Sequence, residues 1–315
     1  MPTRYFLVLL LALAGCATRP PNRVAVAAGY CDPPLPSRYD PAFAPQADFE
    51  AALTPALLAR YPRRNLLTAN AVGILPALRE LLALQVAAKR QPGPAAELAV
   101  LRQRQRILAQ VALVSSTVAS LAAELDCEGE RADQVAGYLK ALDDRRTQRL
   151  NVLSISVGAA SGIGTTVIDN KPGQYAFGIG GGLLAAGLGL LTLRQSDHTV
   201  DFLHPRNLLG EVWAEQPAND LFPPNVWYML TNPAFSNSGQ TSIAHNTRQR
   251  WQRYGQLAKP DSKDGKALTS LLFGEGGQYS ADQLTVRANM LNELQAAVRL
   301  LNQELQGLRV MLNEE

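Results

Sequence analysis

The sequence predicts a mainly α fold: a long-helix bundle or coiled coil carrying a Gly-rich helical hairpin and a small irregular subdomain. Three observations predict it. Aromatic residues make up only 6% of the 315 residues, while 47% are hydrophobic and dominated by Leu and Ala, a composition that favours helices over a β-sandwich. Apolar residues recur at alternating three- and four-residue spacings over two long stretches, which marks helices with one buried seam. Between these stretches lie two charge-free segments crowded with Gly, Ala, Ser and Thr, joined by a polar turn. The formal net charge of +3 gives no electrostatic case for nucleic-acid binding, which needs concentrated basic charge.

The chain begins with Arg4, an unbroken apolar run from Phe6 to Leu13, and small residues ending at a cysteine. A positive start, an apolar run too short to span a membrane and small residues at the cut make a secretory signal over residues 1–15. Leu13-Ala14-Gly15-Cys16 resembles the lipobox of bacterial lipoproteins. That resemblance implies cleavage before Cys16, a diacylglycerol on its thiol and an acyl chain on its nitrogen. Each buried methylene adds about 0.8 kcal/mol, so three chains form a lasting anchor. Ala17 stands where lipoproteins kept in the inner membrane commonly carry Asp. By that sorting rule the expected address is the outer membrane, with the body facing the periplasm.

Residues 16–62 contain nine prolines, from Pro20 to Pro62, and read as an extended tether. With Cys16 acylated, Cys31 and Cys127 remain. In an oxidising compartment the economical reading is a disulfide joining the tether to a long helix; separate burial or pairing between chains are the alternatives.

Residues 63–149 read as a long helical hairpin or coiled coil. Leu67, Ala71, Leu75, Leu78, Leu82 and Val86 predict one amphipathic helix over about 66–90, ended by Pro92-Gly93-Pro94. A second frame runs through Ile107, Val111, Val114, Val118, Leu121 and Leu125, continues at Ala132, Val135, Leu139 and Leu142, and returns at Leu153. The C-terminal helix, residues 281–315, carries Leu291, Leu294, Val298, Leu301, Leu305, Leu308 and Leu312 in the same rhythm. Two such seams predict antiparallel packing within the chain, with a homo-oligomer as the alternative.

Residues 150–194 form the Gly-rich part, two segments divided by Asp169-Asn170-Lys171-Pro172-Gly173-Gln174. Ser154, Gly158, Gly162 and Thr166 step by four, as do Gly178, Gly182 and Ala186; on helices these are stripes for close backbone approach. The pattern resembles the glycine-zipper hairpin of several outer-membrane lipoproteins, which implies helix packing through these residues. Arg145, Arg146 and Arg149 precede the hairpin and Arg194 follows it, placed to meet anionic headgroups. Membrane insertion, a buried or oligomeric zipper core, and a loose Gly-rich loop are the three readings.

Residues 195–280 alternate short helical stretches, such as 207–215 and 247–257, with Pro, Asn, Ser and Gly, and hold Trp213, Trp227 and Trp251. These indoles are either the core of a subdomain or a binding platform. Asp197, His198, Asp201 and His204 are spread too widely around a helix to share a metal. No nucleotide loop, nucleophile elbow or zinc-protease motif occurs. The expectation is a non-enzymatic protein with no cofactor or metal. Its partners would be the membrane, through Cys16 and the hairpin, and a protein partner or a second copy. The role expected is structural or assembly work, with a binding module for peptidoglycan, lipid or a partner protein, built on the three tryptophans, as the alternative.

Overall fold

A computed structural model describes residues 26–33, 39–193, 198–217, 219–254, 257 and 261–314. Cys16 and the signal segment lie outside them. The fold is mainly α, with eleven α-helices among the described residues and a single two-stranded sheet.

The proline-rich segment is not simply extended. From residue 39 it folds onto the body through a 3-10 turn at Pro41–Phe43, α1 (Phe49–Ala52) and α2 (Pro55–Arg60). Pro41 and Pro55 sit in the first turns, where proline's missing N–H costs nothing, and Asp40, Asp48 and Thr54 cap the three starts. Ala52, Leu57 and Tyr61 are buried. The helix expected over 66–90 is two helices, α3 (Arg63–Val72) and α4 (Leu75–Arg90), bent by 117°. Gly73 causes the break: it ends α3 at φ +81°, and a Cβ there would lie 2.0 Å from the Phe43 carbonyl oxygen. Pro76 then starts α4.

α5 (Pro94–Val167) is a single helix of 74 residues, about 110 Å long at 1.5 Å per residue. α6 (Lys171–Leu193) turns back along its C-terminal end. β1 (Thr199–Leu203) pairs antiparallel with β2 (Gly276–Ser280). Between the strands come α7 (Leu208–Ala214), α8 (Pro224–Thr231), α9 (Ile243–Arg253) and α10 (Lys263–Phe273). α11 (Ala281–Asn313) closes the chain, started by a capping box between Ser280 and Gln283.

The two seams meet within the chain. α11 runs antiparallel to α5: Ser115 Oγ donates to Asn302 Oδ1 at 3.0 Å, Gln295 Nε2 to Asp126 Oδ1 at 2.5 Å, and Arg104 to the Leu312 carbonyl at 2.7 Å. Ile107 through Leu125 on α5 and Leu291 through Leu312 on α11 are buried at every position of their predicted frames. The α5 seam ends at Leu139, however; Leu142 is half-buried and Leu153 is 46% exposed. The register explains this. Gly129 lies against Asn292, so Ala281, the first residue of α11, comes level with Leu139 and nothing beyond it has a partner on α11.

Candidate functional site: an exposed apolar hairpin

No residue from 140 to 193 with a described side chain is buried. In this stretch α5 leaves the body, and from residue 150 onward α6 runs beside it. The turn is closed by Asn170, whose Oδ1 accepts from Gly173 N at 2.7 Å, and by Gln174, which donates to the Ile168 carbonyl at 2.7 Å. The two helices touch through small residues. Ser154 Oγ donates to the Ala185 carbonyl at 2.8 Å. A Cβ on Gly181 would stand 2.1 Å from Ser161 Cβ, one on Gly164 2.7 Å from the Phe177 ring, and one on Gly178 3.2 Å from Thr165 Cγ2.

The packing seam is therefore Ser154, Gly158, Ser161 and Thr165 against Gly178, Gly181 and Ala185. This corrects the stripe expected from strict four-residue steps. Ser154, Gly158 and Gly178 belong to the interface, but a Cβ on Gly162 or Gly182 would meet nothing within 4 Å, and Ala186 is exposed. Four residues advance a helix by about 400°, so a strict four-step stripe drifts off any straight contact line. Mixed steps of four and three stay on it.

Four of the hairpin's hydroxyls are satisfied within their own helix. Ser161, Thr165, Thr166 and Thr192 each donate to the carbonyl three residues earlier, at 2.6–3.0 Å. Polar groups closed in this way add little cost in an apolar medium. The outward faces are apolar. Twelve large apolar side chains between Val152 and Leu191 are exposed, against eleven in all the rest of the described chain. Ile155 is 71% exposed, Val167 72% and Leu183 69%. Along α6 no described side chain is buried. An apolar surface of this extent marks a contact with a partner or a membrane. Residues 150–167 and α6 reach about 27 and 34 Å, close to the roughly 30 Å of a bilayer's hydrocarbon core.

Between hairpin and body, α5 carries Lys140, Asp143, Asp144, Arg145, Arg146 and Arg149. His198 Nδ1 pairs with Asp143, bringing the chain back onto α5 after α6. Arg145, Arg146 and Arg149 form no ion pair among the described residues. They mark a polar boundary at the base of the apolar hairpin.

The other expected sites fall as follows. Cys31 and Cys127 form a disulfide, with Cα atoms 5.7 Å apart across 96 residues. The tether is held beside it by Arg131, which donates to the Ala27 carbonyl at 3.0 Å. Trp251 and Trp227 are buried, the latter donating to the Gln216 carbonyl at 3.1 Å. Trp213 is stacked on Phe273 at 4.4 Å and covered by Arg248 at 4.7 Å. The indoles are thus packed into the subdomain core and offer no open platform. Asp197 lies outside the described residues; His198 and His204 have separate partners, and no group of three His, Cys, Asp or Glu among the described residues is placed to hold a metal.

Sequence reasoning missed a buried polar cluster where the sheet meets α5 and α11. Arg131 pairs with Glu128 at 2.8 Å and lies 4.0 Å over the Phe202 ring. Arg287, 1% exposed, donates to the Leu272 carbonyl at 2.9 Å. Burial lowers its pKa to about 10, so it stays charged at neutral pH. Tyr279 donates to the Leu271 carbonyl at 2.8 Å and so accepts from His204 Nε2 at 2.9 Å. Burial, then Arg287, then Arg131 push His204 down to about 3. A buried neutral histidine beside two arginines is a structural joint. The usable clue was the alternation of Thr199-Val200-Asp201-Phe202-Leu203, whose even positions are buried.

No family model, curated protein or solved structure matches the chain.

Proposed function

We propose that this protein is a lipid-anchored envelope protein with a structural or assembly role at the periplasmic face of the outer membrane. In this reading it is held by acyl chains on Cys16 and by insertion of the 150–193 hairpin. The observation that carries the reading is the hairpin: residues 150–167 and α6, each near bilayer-spanning length, are paired with each other and, among the described residues, turn large apolar side chains outward. A soluble body would leave that surface in water, at about 25 cal/mol per Å². The buried tryptophans favour this reading over a binding module built on them. Insertion from the periplasmic leaflet keeps Arg145, Arg146, Arg149 and Arg194 at that leaflet's headgroups, whereas insertion into the inner membrane from the same side opposes the positive-inside preference.

An environment-sensitive dye at Leu183→Cys should shift to the blue in vesicles and be quenched by lipids labelled within their acyl chains. The same dye at Val310→Cys, on the body, should show neither effect. Absence of quenching at position 183 would reject insertion. For the anchor, radioactive palmitate should label the wild type and not Cys16→Ala; label persisting in the variant contradicts acylation at Cys16.

A further inference from the structure

The hairpin leaves the other end of the molecule unexplained. Gly93, before the start of α5, is separated from residue 150 by about 85 Å of continuous helix. There α4 presents Arg79, Leu82, Ala83, Val86, Ala87 and Arg90 on one face, and with Thr54 and Ala56 they line an open groove of about 700 Å³. These positions step by three and four, so they form one continuous strip of α4. Ala83 and Ala87 make its centre shallow, while Leu82 and Val86 give it an apolar wall; Val86 is 48% exposed.

Charge at this end is one-sided. α4 and the first turns of α5, residues 75–106, hold Arg79, Lys89, Arg90, Arg102, Arg104 and Arg106 against two carboxylates, Glu80 and Glu97, in a chain whose net charge is +3. Arg79 and Arg90 stand at the two ends of the groove, and neither has a carboxylate partner among the described residues. Eleven residues apart, they are separated by about 16 Å along α4.

We propose that the α4 groove docks an acidic amphipathic helix of a partner protein. An apolar stripe of about three turns fits the strip, and carboxylates flanking it meet Arg79 and Arg90. Recognition of this kind uses helix-in-groove packing with charge setting orientation and partner choice. The proposal is independent of hairpin insertion, since the groove and the hairpin occupy opposite ends of α5. Together they make α5 a spacer between a membrane and a partner.

The probe is a fluorescein-labelled 18-residue helical peptide with a Leu stripe flanked by Glu, compared with the same peptide carrying Lys for Glu. Fluorescence anisotropy is measured on the full-length protein in lipid nanodiscs of zwitterionic composition. The Glu peptide should bind at least tenfold more tightly than the Lys peptide, and binding should weaken with salt. In Arg79→Glu/Arg90→Glu, with unchanged circular dichroism, the preference should invert. Both residues are exposed, so the exchange leaves the core untouched. Equal binding of the two peptides, no binding of either, or an unchanged preference in the variant would overturn the proposal. Displacement of the Glu peptide by phosphatidylglycerol vesicles would assign the groove to lipid instead. Self-association abolished by the same double exchange would assign it to a second copy. Either outcome also rejects a partner helix.

Discussion

His204 is held neutral in a site that water does not reach. It is 2% exposed, with Arg287 and Arg131 nearby, and its pKa is pushed down to about 3. Unfolded, it titrates near 6.5, so below that pH the unfolded chain binds a proton that the folded chain refuses. The stability due to the neutral ring is fully present above pH 6.5 and is lost as pH falls toward 3, at about 1.4 kcal/mol per unit. From pH 7 to pH 5 the folded state should lose about 2 kcal/mol from this residue. Urea unfolding at the two pH values checks it: His204→Asn should flatten that part of the slope, and an unaltered slope would assign the acid sensitivity elsewhere. The partner set of His204 was not legible in the sequence, because Tyr279 and Arg287 reach it only through the β1–β2 pairing and α11. The Cys31–Cys127 pair was legible, because acylation of Cys16 would leave two thiols.

Helices that bury a seam announce it. The frames of α5 and α11 follow from the sequence because every third or fourth residue must leave water, and the structure buries them as spaced. The hairpin seam is harder to read because glycine, alanine and serine carry no hydrophobic signal that separates an inward face from an outward one. Gly181 and Gly182 are neighbours of identical chemistry, yet only Gly181 abuts Ser161. Gly181→Val should therefore push α6 from α5 by more than an ångström, while Gly182→Val should leave the pair in place. Spin labels at Ile163→Cys and Ile179→Cys report the difference as a longer, broader distance distribution in the first variant only. Equal distributions would contradict the seam as described. The α3–α4 break was written in Gly73 and Pro76, but a strong apolar frame across both helices hid it; the requirement for glycine comes from Phe43, thirty residues away. The β1–β2 ladder escaped notice because its second strand, Gly276-Gly277-Gln278-Tyr279-Ser280, carries only one large apolar residue.

Across the whole molecule, one helix ties three regions together: a cationic groove at its start, a two-seam body along its middle and an apolar hairpin at its end. The body is closed by α11, whose length sets where α5 emerges. Past Leu139 the helix has no cover from α11, and past Arg149 its surface is apolar. In the proposed reading that order is the design of an anchored spacer, with the headgroup region at the arginines and the bilayer beyond them. The most direct test of this account removes the lipid and asks whether the hairpin still holds. A Cys16→Ala protein, exported by an ordinary signal peptide, should remain in the membrane pellet after carbonate extraction. The same protein lacking residues 150–193 should be released. Full release of the hairpin-bearing Cys16→Ala protein would contradict the account.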